Sequence, residues 1–116
     1  IDPLDCEIPA VIERDLSAIV SSIETATLLA ARADQRKATI GVHVDLDTGM
    51  GRFGALEDDA LSLLRFAASA RCLRVEGLCT HLSQADAPDS GYTEQQLRLF
   101  AAAKEKALVL CPTIRY

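Results

Sequence analysis

Tryptophan is missing altogether, and two Tyr and three Phe are the only aromatic residues among 116. A core without large rings must be packed from aliphatic side chains, and Ala, Leu, Ile and Val supply most of the 49% hydrophobic content. That composition favours helices laid on a sheet and excludes a disordered chain. Positive charge is also scarce: 12 Lys+Arg face 17 Asp+Glu, a net charge of -5. With no basic stripe to neutralise phosphates, nucleic acid and anionic lipid are excluded as expected partners. No apolar run approaches the roughly 18 residues of a membrane span, and no signal peptide is visible, so a soluble, cytoplasmic protein is expected. Cys6, Cys72, Cys79 and Cys111 form no C-x-x-C pair, which argues against zinc or a disulfide framework and for small buried hydrophobes. Position 1 is Ile1 rather than Met, and residues 112–116 stop where a new strand begins. The expectation is a fragment of a larger domain.

The hydrophobic periods alternate along the chain. Residues 10–14 read as the end of a helix and 16–21 as a short buried strand. Ser21 and Glu24 have capping-box spacing, and Ile23, Ala26, Ala30 and Ala33 recur on one face of the helix they would open. A second strand is expected over 39–46, a glycine-rich loop over 47–54, and a helix over 57–71 with Leu61, Leu64 and Ala68 inward and an acidic first turn. A third strand over 74–82 and a loop over 84–91 follow. Thr93 and Gln96 then form another capping box, before a helix that turns Leu97, Phe100, Ala101 and Leu108 inward.

Strict strand–helix alternation requires parallel strands, in an open doubly wound sheet or a (β/α)8 barrel. Val42, Val44 and Leu46 face one way while His43, Asp45 and Asp47 face the other, and Leu78, Thr80 and Leu82 oppose Gly77, Cys79 and His81. An open parallel sheet covers both faces with helices, where a polar row is badly placed. In a barrel that row points inward and lines the active-site mouth. The fold expected is therefore α/β, a partial (β/α)8 TIM barrel of about three units, since a whole barrel needs roughly 250 residues. Two open sheet edges and a bare inner face then predict weak stability or self-association.

Gly49-Met50-Gly51-Arg52-Phe53-Gly54 matches G-x-G-x-x-G between a strand and a helix. A dinucleotide fingerprint, however, follows a wholly apolar strand and is answered by an acid at the end of the next one. Here the strand carries His43, Asp45 and Asp47, and Glu76 lies near the start of its strand, so the dinucleotide reading is set aside. His43, Asp45, Asp47 and His81 have oxygen and nitrogen donors of the kind that suits zinc or manganese. The alternative is a satisfied polar network with Arg52, and no metal is expected.

Residues 42–54, Val-His-Val-Asp-Leu-Asp-Thr-Gly-Met-Gly-Arg-Phe-Gly, closely resemble the H-L-K-V-D-T-G-M-G-R-x-G segment of alanine racemases. Residues 76–86, Glu-Gly-Leu-Cys-Thr-His-Leu-Ser-Gln-Ala-Asp, resemble their E-G-x-x-T-H-F-A-x-A-D. Tyr92-Thr93 with Gln96-Leu97 and Phe100 resembles the Y-T-x-x-Q-L-x-x-F that follows. Three motifs in order cover nearly the whole chain.

The resemblance implies a pyridoxal-phosphate enzyme, a homodimer with an N-terminal barrel and a C-terminal β domain, that interconverts L- and D-alanine and so supplies D-alanine for the cell wall. Residues 1–116 would be part of the barrel domain, with the β domain absent. The implied chemistry is proton removal and return at Cα by two bases, a cofactor-bearing Lys and a Tyr from the partner subunit. The family places both outside this chain, together with the loop that holds the cofactor phosphate, so the 116 residues alone are expected to be inactive. Within the chain, the resemblance assigns Arg52 to the substrate carboxylate and the phenolic oxygen of the cofactor, and His81 to support of the partner's Tyr. Around Met50 the glycines are expected simply to permit a tight turn, with contact between Met50 and the site as the alternative. Asp45 stands where many members carry a carbamylated Lys that braces the arginine; a carboxylate keeps the negative charge with a shorter reach, so Asp45 is expected to pair with Arg52 directly or through a water. Two other readings stay open: a non-catalytic pyridoxal-phosphate-binding barrel, against which the loop 47–52 argues, and a racemase of another amino acid.

Overall fold

The computed structural model describes residues 2–87 and 91–115. Seven elements follow one another: α1 (Ile8–Glu13), β1 (Ala18–Val20), α2 (Ile23–Gln35), β2 (Ile40–Leu46), α3 (Glu57–Ser69), β3 (Leu73–Thr80) and α4 (Gly91–Leu110). The strands form one parallel sheet in the order β1-β2-β3. This is the expected partial barrel. No helix among the described residues is long and apolar enough to cross a membrane.

The core lies between the outer face of the sheet and the helices. Val20, Val42, Val44 and Leu78 meet Leu29 and Ala33 of α2, Leu63 and Leu64 of α3, and Ala103 and Ala107 of α4, all buried. Small Ala residues on the helices and branched aliphatics on the strands allow close approach without aromatic rings.

On the other face, the register sets Ile19 beside His43 and His43 beside Gly77, with Asp45 beside Cys79 one layer higher. The expected inner row is therefore present. It depends on an irregularity absent from the sequence reading: Val42 pairs with Val75 but His43 with Gly77, leaving Glu76 as an extra residue in β3. This bulge resets the alternation, so that Val75 and Leu78 both reach the core although three positions apart. Opposite it, Gly41 makes room: a Cβ there would stand 2.6 Å from the Glu76 carboxyl carbon. Glu76 in turn accepts from Ser17 Oγ (2.6 Å) and from Arg74 Nη2 (2.7 Å), with His43 Nε2 at 3.5 Å. The Ser17 hydroxyl and then the Arg74 guanidinium hold its carboxyl below the ordinary value, against the opposing effect of burial.

Both sheet edges carry one added backbone bond, from Asp2 N–H to Ile19 O (2.7 Å) and from Arg115 N–H to Glu76 O (3.0 Å). The described residues 112–115, where a new strand was expected to begin, are turn and irregular chain rather than strand.

Several expectations need correction. The cap of α2 is Ser22, whose side chain accepts from Thr25 N–H, one residue after the expected Ser21; Ser21 is engaged instead by Asp2. The inward stripe of α2 is Ala26, Leu29 and Ala33, with Ile23 41% exposed. In α3 it is Ala60, Leu63, Leu64 and Ala67, with Ala68 exposed. In α4 it is Gln96, Ala103 and Ala107, whereas Leu97 and Ala101 face outward. Thr93 lies inside α4 and its hydroxyl donates to Gln84 O (3.0 Å). Part of the expected loop, residues 88–90, lies outside the described residues. Cys6 is exposed rather than buried, Cys72 and Cys79 are half-buried, and Cys111 is buried.

Candidate functional site

The site is built where β2 and β3 end. After Leu46 the chain leaves the sheet and returns at once: Asp47 N–H donates to Ala55 O (2.9 Å) and Ala55 N–H to Asp45 O (2.8 Å). Residues 48–54 are thus a loop closed at its neck, and Arg52 rides on its outer turn. Closure needs glycine at Gly54, where φ is +97° and a Cβ would stand 2.7 Å from the Asp47 nitrogen.

Asp47 fills the loop from within. Its carboxylate accepts from Gly49 N–H (2.8 Å) and Gly51 N–H (3.0 Å). Burial alone would raise its pKa, but the amides of Gly49, Gly51 and Met50 together outweigh that and hold it below the ordinary value. The amides that a dinucleotide phosphate would need are therefore occupied by the chain's own carboxylate. The dinucleotide reading of G-x-G-x-x-G fails on that contact.

A cavity of about 140 Å³ opens beside the loop, lined by Ile19, Asp45, Met50, Arg52, Phe53, Cys79, Thr80 and His81. The three residues singled out from sequence, Arg52, His81 and Asp45, thus meet at one cavity at the C-terminal ends of the strands. Arg52 and His81 are exposed at its mouth while Asp45, 7% exposed, forms its floor. The anticipated direct pair between Asp45 and Arg52 is not made. The Arg52 guanidinium sits 5.1 Å from the centroid of the Phe53 ring, and no ion pair among the described residues includes it. The Asp45 carboxylate instead meets the Cys79 thiol, with Sγ 3.8 Å from Oδ1. Burial pushes the Asp45 carboxyl up; the Cys79 contact and His81 pull the other way, while Asp2 and Asp47 add to the rise. Burial and then the neighbouring Asp45 charge push the Cys79 thiol up to about 11, so it stays protonated at neutral pH.

The polar row does not act as one ligand set. His43 faces Glu76, Asp47 faces its own loop, and only Asp45 and His81 share the cavity. No group of three His, Cys, Asp or Glu side chains suited to a metal occurs among the described residues.

One buried polar side chain was read from sequence only as the capping-box partner of Thr93 and as part of a motif, with no role at the site. Gln96 is 0% exposed and bonds to Thr48, His81 and Ser83. Its signal was an amide on the inward face of a helix whose other inward positions are alanine.

Residues 3–114 match the family model described as alanine racemase, N-terminal domain. The chain belongs to that family. The alanine racemase of Sorangium cellulosum is 38% identical over 110 residues, which is 91% of this chain and 29% of the relative. That of Treponema pallidum is 41% identical over 96 residues, 78% of this chain and 26% of the relative. The solved alanine racemase of Streptomyces coelicolor superposes with a TM-score of 0.84 at 26% identity, covering 93% of this chain and 29% of that one. The chain spans under a third of the length of these racemases.

Proposed function

We propose that this chain is part of the barrel domain of a pyridoxal-phosphate-dependent alanine racemase, acting in the cytoplasm as a homodimer whose C-terminal β domain and catalytic Lys and Tyr lie outside residues 1–116. The observation that carries the reading is the meeting of Arg52, Asp45 and His81 at one cavity, on the loop and strand ends that hold the family's motifs.

The residues present fit one side of the implied cofactor. A guanidinium fork at the mouth suits a phenolic oxygen and a carboxylate, and Ile19, Met50 and Phe53 add apolar surface beside it. The covalent attachment is not theirs to make. Lys37, Lys104 and Lys106 are the only lysines, and none lines the cavity. When bound, pyridoxal phosphate supplies the electron sink that makes the Cα proton removable.

The chain's own residues then bind and orient. Arg52 takes the substrate carboxylate with two parallel hydrogen bonds, fixing the face on which Cα is presented. Asp45, which lines the same cavity without touching Arg52, braces it through a bridging water. His81 supports the base supplied by the partner subunit. Asp47 holds the Gly49–Gly51 amides, so the loop that bears Arg52 is shaped before substrate arrives.

The test uses the full-length protein loaded with pyridoxal phosphate. Conversion of L- to D-alanine is followed with a coupled D-amino-acid oxidase. Arg52→Lys keeps the charge but loses the fork, and should lower kcat/KM by about tenfold to a hundredfold. A wild-type protein without racemisation, or an Arg52→Lys variant equal to wild type, overturns the reading. Sedimentation of the loaded protein checks the dimer.

A further inference from the structure

We infer that Tyr92 and Gln96, one turn apart on α4, are positioning residues that hold the Arg52 loop in register with the His81 segment. The inference rests on the reading of Arg52 as the arginine that binds the substrate carboxylate.

A side-chain amide has two donor hydrogens and two acceptor lone pairs. Gln96 uses all four. Its Nε2 donates to Thr48 Oγ1 (3.1 Å) and to His81 O (3.2 Å), while Oε1 accepts from Ser83 N–H (2.9 Å) and Ser83 Oγ (3.1 Å). Thr48 opens the Arg52 loop, and His81 and Ser83 belong to the segment after β3. One side chain therefore joins both walls of the cavity. Through Thr48 the network reaches Thr80 Oγ1 (2.8 Å), and Thr80 donates to Leu46 O (2.7 Å), tying the ends of β2 and β3 together.

Tyr92 presents its hydroxyl to the same loop and donates to Gly49 O (2.7 Å). The fit is close on both sides: a Cβ at Gly49, where φ is +130°, would collide with that hydroxyl. Four residues apart on a helix, Tyr92 and Gln96 share a face, so they grip consecutive residues, Gly49 and Thr48. Arg52 lies between this grip and the neck closed by Ala55. Asp47 shapes that span from within through the Gly49 and Gly51 amides, and the bonds from α4 are what tie it to the His81 segment.

A fully buried glutamine is costly unless satisfied, and an aliphatic residue would fill the site with less desolvation. What the amide adds is direction: two donors and two acceptors aimed at two different segments.

Two variants test this in the full-length holoenzyme. Gln96→Glu keeps size and acceptors but loses both donors; Tyr92→Phe removes one partly exposed hydroxyl. Limited trypsinolysis with mass-spectrometric site assignment reads the loop directly, because trypsin cuts after Arg52. Cleavage there should rise about three- to tenfold in each variant, matching the loss of one or two hydrogen bonds. Cleavage after Arg65 and Arg71 of α3 and its end should stay at the wild-type rate. The KM for alanine should rise by a similar factor, with a smaller fall in kcat. Wild-type cleavage after Arg52 in the folded variants, or an equal rise at all sites, overturns the inference; should Gln96→Glu not fold, Tyr92→Phe decides it alone. A wild-type protein that does not racemise alanine refutes the proposed function instead, while the proteolysis still decides whether α4 holds the loop.

Discussion

Gly41→Ala sets two opposing effects against each other at the one place where the sheet departs from regular pairing. In an ordinary strand, replacing Gly by Ala stabilises by about 0.4–1 kcal/mol, because the unfolded chain loses freedom. Here the new methyl would lie 2.6 Å from the Glu76 carboxyl carbon and both of its oxygens, so the carboxylate must move. Moving it costs the bond from Ser17 and the fork from Arg74. Because the Glu76 side chain is 21% exposed and Arg74 is 57% exposed, these charge-assisted bonds are discounted to about 1–2 kcal/mol together. The net expectation is a loss of about 1 kcal/mol. A Glu76→Ala background removes the three atoms nearest the new methyl, and Gly41→Ala should become neutral or stabilising. The coupling energy from the double-mutant cycle is then about 1–2 kcal/mol, read by urea denaturation with circular dichroism. The pH dependence supplies a second check. The Glu76 carboxyl is held below its ordinary value of 4.5, so its contribution is present above that pH and is lost as pH falls through the folded-state value. Gly41→Ala should flatten that acid limb. An equal cost in both backgrounds, with an unchanged acid limb, refutes the account of the bulge.

Two further outcomes follow from the cavity. Asp45 has its carboxyl pushed upward by burial; its charged form therefore costs stability at neutral pH, and stability recovers as pH falls through the folded-state value. Asp45→Asn should raise the neutral-pH melting temperature and remove that trend, and a lowered melting temperature would contradict it. Cys79, half-buried and with its thiol pushed up to about 11, should resist iodoacetamide at pH 8 while exposed Cys6 is alkylated; mass mapping of the labelled peptides distinguishes the two.

How much of this was legible in the sequence varies with the distance over which each feature is decided. The alternation of His43, Asp45 and Asp47 with Val42, Val44 and Leu46 already required a two-faced parallel strand with a polar inner side, and the sheet has it. The helix faces were legible only to within one residue. In α2, α3 and α4 the inward stripe is offset from the expected one because chains rich in Ala offer several plausible apolar faces, and neighbouring elements choose among them. The Glu76 bulge was not legible at all. Its Glu76 carboxylate lies over Gly41, 35 positions earlier, where a side chain is lacking, and no local pattern in β3 records that.

At the site the same division holds. The residue order alone determined that Arg52 follows an inward acidic row on a glycine loop, because strand alternation and glycine turns are local properties of the backbone. That Asp47 occupies the loop amides, that Asp45 meets Cys79 rather than Arg52, and that Gln96 joins Thr48 to His81 were decided by the tertiary structure. Each joins side chains whose separation in space depends on loop closure and register, and hydrogen bonds, unlike hydrophobic periodicity, are settled by distances of a few tenths of an ångström.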